Sequence, residues 1–370
     1  MGSGFARAGR RAQRWQQSAV AGRLGSVSGL LVAGSCGGKK KMEEGVLRLG
    51  LSIAAATAIL LAICGAGVAD NYPSRPISLV IPLPPGGTND IMARAVADKM
   101  SAALGQRIVI ENRNAGGSGT VGTREVARAI PDGYTIILGY TSTLATGPHI
   151  FSNAGYDPRK DFAPLGLIAS APALLLVHRD LPVHTVGELI ALMKASKEPY
   201  QVATPGAGTV NYLASILFAQ QAGVQVQQII EKGSNPLITD MMGGFVKVGF
   251  NPIPVSRAAL DGGYVRALAV TSSKHSTLMP ELPTLAESGL PGFHATLTYG
   301  LLAPARTPSA IVQRLNKELR AALASDEVRA LIIAEGGEPE PTTPEQHAAV
   351  IDREELKWSA LIRAAGIEAR

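Results

Sequence analysis

Ile77-Ser78-Leu79-Val80-Ile81-Pro82-Leu83 runs straight into Pro84-Pro85-Gly86-Gly87-Thr88-Asn89-Asp90. An apolar, strand-like segment (Ile77–Leu83) meets a glycine turn. Behind the turn Met92, Val96, Met100 and Ala103 recur at helical spacing, and Gly105 supplies a stop, so a helix is expected over Asn89–Leu104. Such a turn presents backbone N–H groups at the positive end of a helix dipole, a ready place for an anion. In isolation its polar residues would only cap a helix. Pro85, Gly86, Gly87, Thr88 and Asn89 become candidate ligand contacts because similar features recur along the chain. Asp90 has two readings: it fixes the loop by accepting N–H bonds, or it receives an ammonium group or water of the ligand.

Outward from this stretch, strands and helices alternate. Further strands are expected at Arg107–Glu111, Thr135–Gly139, Ala173–His178, Gln201–Thr204, Gln225–Ile230, Val246–Phe250, Val265–Thr271 and Gly300–Ala303. Further helices are expected at Thr120–Ala129, Val186–Ala195, Thr209–Ala222, Pro236–Met242, Pro308–Ala324, Asp326–Glu335 and Pro344–Ala365. The alternation argues for an α/β fold with mostly parallel sheets. This much chain exceeds one comfortable core, so two domains are expected, with crossings near Ile168–Ala173 and Phe293–Tyr299. Residues 70–170 plus 294–370 would form one domain and 171–293 the other, with a ligand cleft between them.

A second glycine loop, Thr204-Pro205-Gly206-Ala207-Gly208-Thr209, also follows a strand and precedes a helix. Thr204, Gly206, Gly208 and Thr209 are therefore candidates to hold a second carboxylate opposite the first loop. On this arrangement a dicarboxylate should bind much better than a monocarboxylate of similar size. Tyr140-Thr141-Ser142-Thr143 ends a strand with clustered hydroxyls, which either line the cleft or form a solvated loop.

The N-terminal part is of another kind. Leu51–Ile63 is almost wholly apolar, Arg48 precedes it and Gly67-Val68-Ala69 follows, the layout of a signal peptide over residues 42–69 cleaved near Ala69. Residues 1–41 are rich in Gly, Arg, Ser and Ala, and read as a disordered or mis-called extension before a start at Met42. Nine of the 35 Lys/Arg and two of the 29 Asp/Glu fall in residues 1–69. The exported remainder thus holds 26 bases against 27 acids, and the basic pI lends no support to nucleic-acid binding. Cys36 and Cys64 also precede the cleavage site, so no disulfide, thiol nucleophile or Cys-held metal is expected in the mature chain.

Tyr72-Pro73-Ser74-Arg75-Pro76-Ile77, the Pro84–Asp90 loop with Ala93-Arg94, Leu104-Gly105-Gln106, Glu111-Asn112-Arg113 and Ala115-Gly116-Gly117 form an ordered set of motifs. It continues through Pro131-Asp132-Gly133-Tyr134, Tyr156-Asp157-Pro158, Lys160-Asp161-Phe162, Lys232-Gly233-Ser234, Arg266–Thr271, Pro283-Thr284, Gly289–Gly292 and Gly300–Pro304. Together these resemble the tripartite tricarboxylate transporter receptors, the Bug family of periplasmic solute-binding proteins. The resemblance implies a two-lobed periplasmic binding protein fold of type II-like form, two Rossmann-like domains joined by a two-crossing hinge. It implies capture of a small carboxylate for a tripartite transporter or a sensor, by a monomer with no cofactor, no metal and no catalysis. Three positions depart from the family pattern. Ile230-Glu231 stands where Pro-Tyr is usual, Asn251 where an acid is usual, and Thr298 where an aromatic residue is usual before Tyr299. Asn251 joins the candidate ligand contacts.

One rival reading comes from another class. Gly117-Ser118-Gly119-Thr120-Val121-Gly122 matches the dinucleotide pattern Gly-x-Gly-x-x-Gly and would suit an oxidoreductase. Against it, the loop opens with Asn112-Arg113-Asn114 rather than a tight turn, and the following strand ends at Gly139-Tyr140 without the ribose-binding acid. No Gly-x-Ser-x-Gly elbow appears, and the six histidines stand singly.

Overall fold

The computed structural model describes residues 71–113 and 119–367. The expected extension and leader lie outside them, as do Gly117 and Ser118 of the dinucleotide-like pattern. The described residues belong to the compact unit Ala66–Arg370.

The opening stretch forms β1 (Ile77–Ile81) and α1 (Thr88–Leu104). The helix starts on Gly87 and stops at Gly105, whose φ of 68° is the left-handed value that ends a helix without strain only for a residue lacking Cβ. Next come β2 (Ile108–Asn112), α2 (Thr120–Ala127), β3 (Thr135–Tyr140), a π turn (Ser142–Thr146) and the short α3 (Gly147–Ile150). A 17-residue strand, β4 (Phe162–His178), follows. Then come α4 (Val186–Ala195), β5 (Tyr200–Thr204), α5 (Val210–Ala222), β6 (Val226–Ile230), α6 (Ser234–Met242), β7 (Val248–Pro252), α7 (Ile253–Asp261) and β8 (Val265–Val270). The chain closes with β9 (Thr296–Pro304), α8 (Ser309–Leu323), α9 (Asp326–Ala334), β10 (Glu338–Pro339) and α10 (Pro344–Ala364).

β4 belongs to two sheets. Its first part pairs with β9 in a sheet ordered β2-β1-β3-β9-β4, with β10 alongside. From Ala173 onward it pairs with β7 and β8 in a second sheet that continues through β5 to β6. Thr296 of β9 sits opposite Pro172, and Ala295 donates its N–H to the Thr271 carbonyl beyond β8 at 2.8 Å. Two chain passages therefore lie side by side where the sheets meet.

The expectation of mostly parallel sheets is corrected. Four of the nine strand pairings are parallel and five antiparallel. Every pairing of β4 or β9 is antiparallel. These strands carry the chain between sheets instead of closing a strand–helix–strand unit, so the right-handed crossover that enforces parallel pairing does not apply to them.

Both faces of each sheet are covered, which explains the near-continuous apolar strands. Ile77, Leu79 and Ile81 pack with Met92, Val96, Met100, Leu315 and Leu319, while Val80 between them faces Val126, Phe162 and Ile351. In the second sheet Leu175 and Val177 pack with Leu213, Phe218 and Phe250, and Leu174 and Leu176 pack with Leu237 and Met241. Each such fully buried side chain contributes about 1.5–3 kcal/mol. The last helix starts with a capping box, Thr343 with Gln346, and Pro344 in its first turn. It buries Ile351 against the first sheet, and Trp358, Leu361 and Ile362 in the core of the second.

Candidate functional site

The first glycine loop is held from within. Asp90 is buried, and both its carboxylate oxygens are occupied. Gly86 N–H and Arg94 Nε donate to Oδ2 at 3.0 and 2.8 Å, while Arg94 Nη2 and Asn112 Nδ2 each donate to Oδ1 at 2.9 Å. The Arg94 guanidinium, against the opposing effect of burial and helped by Gly86 and Asn112, holds the Asp90 carboxyl down at about 2. Asp90 thus organises the loop. Gly87, the N-cap, carries no side-chain acceptor, so the first turn of α1 has no capping side chain.

That geometry predicts a pH-dependent loss. A depressed carboxyl pKa adds stability that is present above the ordinary carboxylate value near 4 and fades as pH falls toward about 2. Arg94 is about half exposed, which screens the pair, so Asp90→Asn should cost about 1–2 kcal/mol at pH 7. Urea unfolding at pH 7 and pH 3 reads this out. The gap between the two proteins should narrow at pH 3, and equal stabilities at pH 7 would show that the pair contributes nothing.

A cavity of about 420 Å³ opens where the two sheets meet. Thr88, from the start of α1, is one wall. Asn211 and Ser234, from the first turns of α5 and α6, form another, and Pro252, Pro254 and Val255 close that side. Ala171 and Pro172 of β4 with Leu297 and Tyr299 of β9 make the floor, and Ala334, Glu335 and Gly336 at the end of α9 complete it. Four helix starts therefore share one hollow, those of α1, α5, α6 and α7, and α1 and α6 are capped by glycines without a side-chain acceptor. Burial pushes the Tyr299 phenol far above its usual pKa, so it remains a neutral hydroxyl.

Of the residues expected to bind from sequence, Thr88 lines this cavity. Its hydroxyl donates to Glu335 Oε2 at 2.9 Å. Pro85, Gly86, Gly87 and Asn89 belong to the adjoining turn. Thr209 caps α5, accepting from Tyr212 N–H at 3.2 Å and donating to the Gly206 carbonyl at 2.9 Å. Gly206 and Gly208 have φ of 137° and 75°, and the Gly208 carbonyl accepts from Thr146 Oγ1 at 3.4 Å. The second loop therefore abuts the segment that follows β3. Thr204 is buried at the end of β5, and its hydroxyl has no hydrogen-bond partner.

Tyr140 is buried at the end of β3, its phenol pushed well above the usual range by burial. Thr141 is tied to β9: its Oγ1 accepts Thr298 N–H at 2.8 Å and shares a 3.0 Å bond with the Thr298 hydroxyl. Ser142 opens the π turn. Asn251 is buried behind Ser234, donating to the Ser234 carbonyl at 3.4 Å and to Ser256 Oγ at 3.2 Å, with its own Oδ1 unpartnered. Glu231 stands at the end of β6, where burial and the nearby Asp240 carboxylate raise its pKa. Asn211, Ser234 and Glu335 are not among the residues expected from sequence to bind. Among the described residues no three His, Cys, Asp or Glu are gathered where they could hold a metal ion, and no helix is long and apolar enough to cross a membrane.

The family model for the tripartite tricarboxylate transporter family receptor matches residues 92–367. The chain belongs to this receptor family. It is similar to protein BugT of Bordetella pertussis, 35% identical over 299 residues, which cover 80% of this chain and 91% of BugT. Among solved structures, Rpa4515 of R. palustris with adipate is 34% identical with a TM-score of 0.68, covering 81% of this chain and all of that one. MatC of Rhodopseudomonas palustris with bound malate is 32% identical with a TM-score of 0.64, covering 79% of this chain and all of that one. The receptor therefore has the two-lobed α/β fold of the periplasmic binding proteins, and its kin are binding proteins.

Proposed function

We propose that this receptor is exported to the periplasm, after cleavage of its leader near Ala69. There it captures a small carboxylate, a di- or tricarboxylate or related organic acid, by hinged closure of its two lobes. Residues 70–170 with 294–370 and residues 171–293 are the lobes, and β4 and β9 the hinge passages. A tripartite tricarboxylate-type transporter, or a sensor, receives the loaded form. The observation that carries this reading is the cavity shared by the starts of α1, α5, α6 and α7. Helix N-termini offer N–H groups and a positive dipole end to a carboxylate without a buried lysine or arginine. Closure follows from such a site, because a ligand touching both Thr88 and the Asn211–Ser234 wall gains its full contacts only when the walls meet. The adipate and malate in the two similar structures agree with the ligand class.

A thermal-shift screen of residues 70–370 tests it, with dicarboxylates, tricarboxylates, amino acids, sugars and a nicotinamide dinucleotide as probes. A ligand at a hundred times its dissociation constant adds about 2.7 kcal/mol of stability. Stabilisation by carboxylate-bearing probes is expected. A shift with the dinucleotide alone would overturn the reading.

A further inference from the structure

Glu335 is the one charged side chain lining the cavity. It caps the C-terminal end of α9, where the helix dipole is already negative. Its partner among the described residues is the Thr88 hydroxyl; no lysine, arginine or histidine pairs with it. A partly buried carboxylate with one neutral hydrogen bond, at the negative end of its own helix, has the uncapped start of α1 beside it to offset its charge and no cationic side chain. The Thr88 hydroxyl has a single proton and has committed it to Glu335. At this end of the cavity a carboxylate ligand would therefore meet a like charge, with the neutral Tyr299 hydroxyl as the side-chain donor still free to offset it. At the other end the first turns of α5 and α6 bring Asn211 and Ser234 with no acid beside them on the lining.

We propose that Glu335 selects an amino-carboxylate. The carboxylate lies at the Asn211–Ser234 wall, and an ammonium group at the Thr88 end donates to Glu335. The proposal rests on the carboxylate-receptor reading and narrows its ligand class. It revises the expectation that each glycine loop takes one carboxylate, because the first loop comes with an acid supplied by α9. Dicarboxylates are then disfavoured at the second position by charge, not by size.

Calorimetric titration of matched pairs decides the matter: adipate against ε-aminocaproate, and succinate against γ-aminobutyrate. Each pair keeps the chain length and exchanges one carboxylate for a methylene-ammonium. The wild-type receptor should bind the amino member about tenfold tighter or more, since opposed like charges in a binding site are costly. Glu335→Gln keeps the size and the acceptor oxygen for Thr88 and removes the charge. It should bring each pair to within about threefold or reverse the order. The wild-type comparison needs no variant, so the proposal stays testable if Glu335→Gln folds poorly. Tighter binding of the dicarboxylates by the wild type, or a ratio unmoved in a folded Glu335→Gln, overturns the proposal and leaves the receptor reading standing. Failure of every carboxylate-bearing probe, in titration and in the thermal screen alike, overturns both.

Discussion

Trp358→Ala should lower the unfolding free energy of the receptor by about 3–5 kcal/mol, the range for deleting a fully buried large aromatic side chain. Trp358 is 0% exposed and lies on the C-terminal helix, yet its ring belongs to the core formed by Val177, Phe218, Phe250 and Phe293 in the second sheet. The same helix buries Ile351 against the first sheet. Removing the indole opens a cavity at the docking point of a helix that bridges both cores, so the surroundings have little freedom to collapse into it. A second loss adds to the first. Lys357 Nζ sits 4.2 Å from the centre of the Trp358 ring, and its charge is also bound to Glu354 Oε2 and the His294 carbonyl. Trp358→Phe separates the contributions. The indole Nε1 has no hydrogen-bond partner, so phenylalanine gives up volume but no bond, and should cost clearly less than alanine. Urea unfolding of the three proteins measures both differences. A loss below about 1 kcal/mol for alanine would mean that the helix is not docked as described.

How much of this could be read in advance divides along physical lines. Segments whose signal is local were legible. The apolar run Ile77–Ile81, the i, i+4 series Met92, Val96 and Met100, and the cap at Thr343-Pro344 each specify their own conformation. The first part of β4 was missed because Pro164, Gly166 and Pro172 break the apolar pattern. It is a strand because β9 pairs along it, with register shifts that absorb the irregular residues at Pro164–Gly166 and Leu167–Ala169. α7 was missed because Pro252 and Pro254 read as breakers, whereas one caps the helix and the other occupies its first turn, where a missing N–H costs nothing.

The site divides in the same way. Thr88 was legible, since a glycine turn leading into a helix is a local pattern. Glu335 was not: it ends a helix before Gly336-Gly337, which reads as a stop signal, and meets Thr88 only through a contact 247 residues long. Thr141 shows the converse. Its hydroxyl was visible as part of a cluster, but whether it faces a ligand or another strand depends on β9, and it is Thr298 that takes it.

Between pH 6.5 and 5 one buried histidine should contribute a large part of the pH dependence of stability. His347 is buried, and its Nδ1 accepts the N–H of Gly166 at 3.2 Å, which fixes the neutral ring with its proton on Nε2. Packing around it is tight. A Cβ placed on Gly300 would come within 2.4 Å of the imidazole Cε1, which leaves no room for water beside that edge. Burial holds the His347 pKa down to about 3, from an ordinary value of 6.5. The sign follows directly. Above pH 6.5 the ring is neutral in both states and costs nothing. Below it the unfolded chain binds a proton that the folded chain refuses until about pH 3. Stability should therefore fall by up to about 1.4 kcal/mol per pH unit, or about 2 kcal/mol by pH 5. The depressed carboxyls of Asp90 and Glu354, both near 2, act only below the ordinary carboxylate range, and the raised Glu231 carboxyl acts above it in the opposite sense but equally in wild type and variant. His347→Gln retains an acceptor for Gly166 and cannot titrate. Its stability should be lower at pH 8 but nearly level down to pH 5, so that the wild-type advantage shrinks as the solution is acidified. Urea midpoints at pH 8, 6.5 and 5 measure this, and curves that stay parallel would show that the buried ring takes up its proton without unfolding.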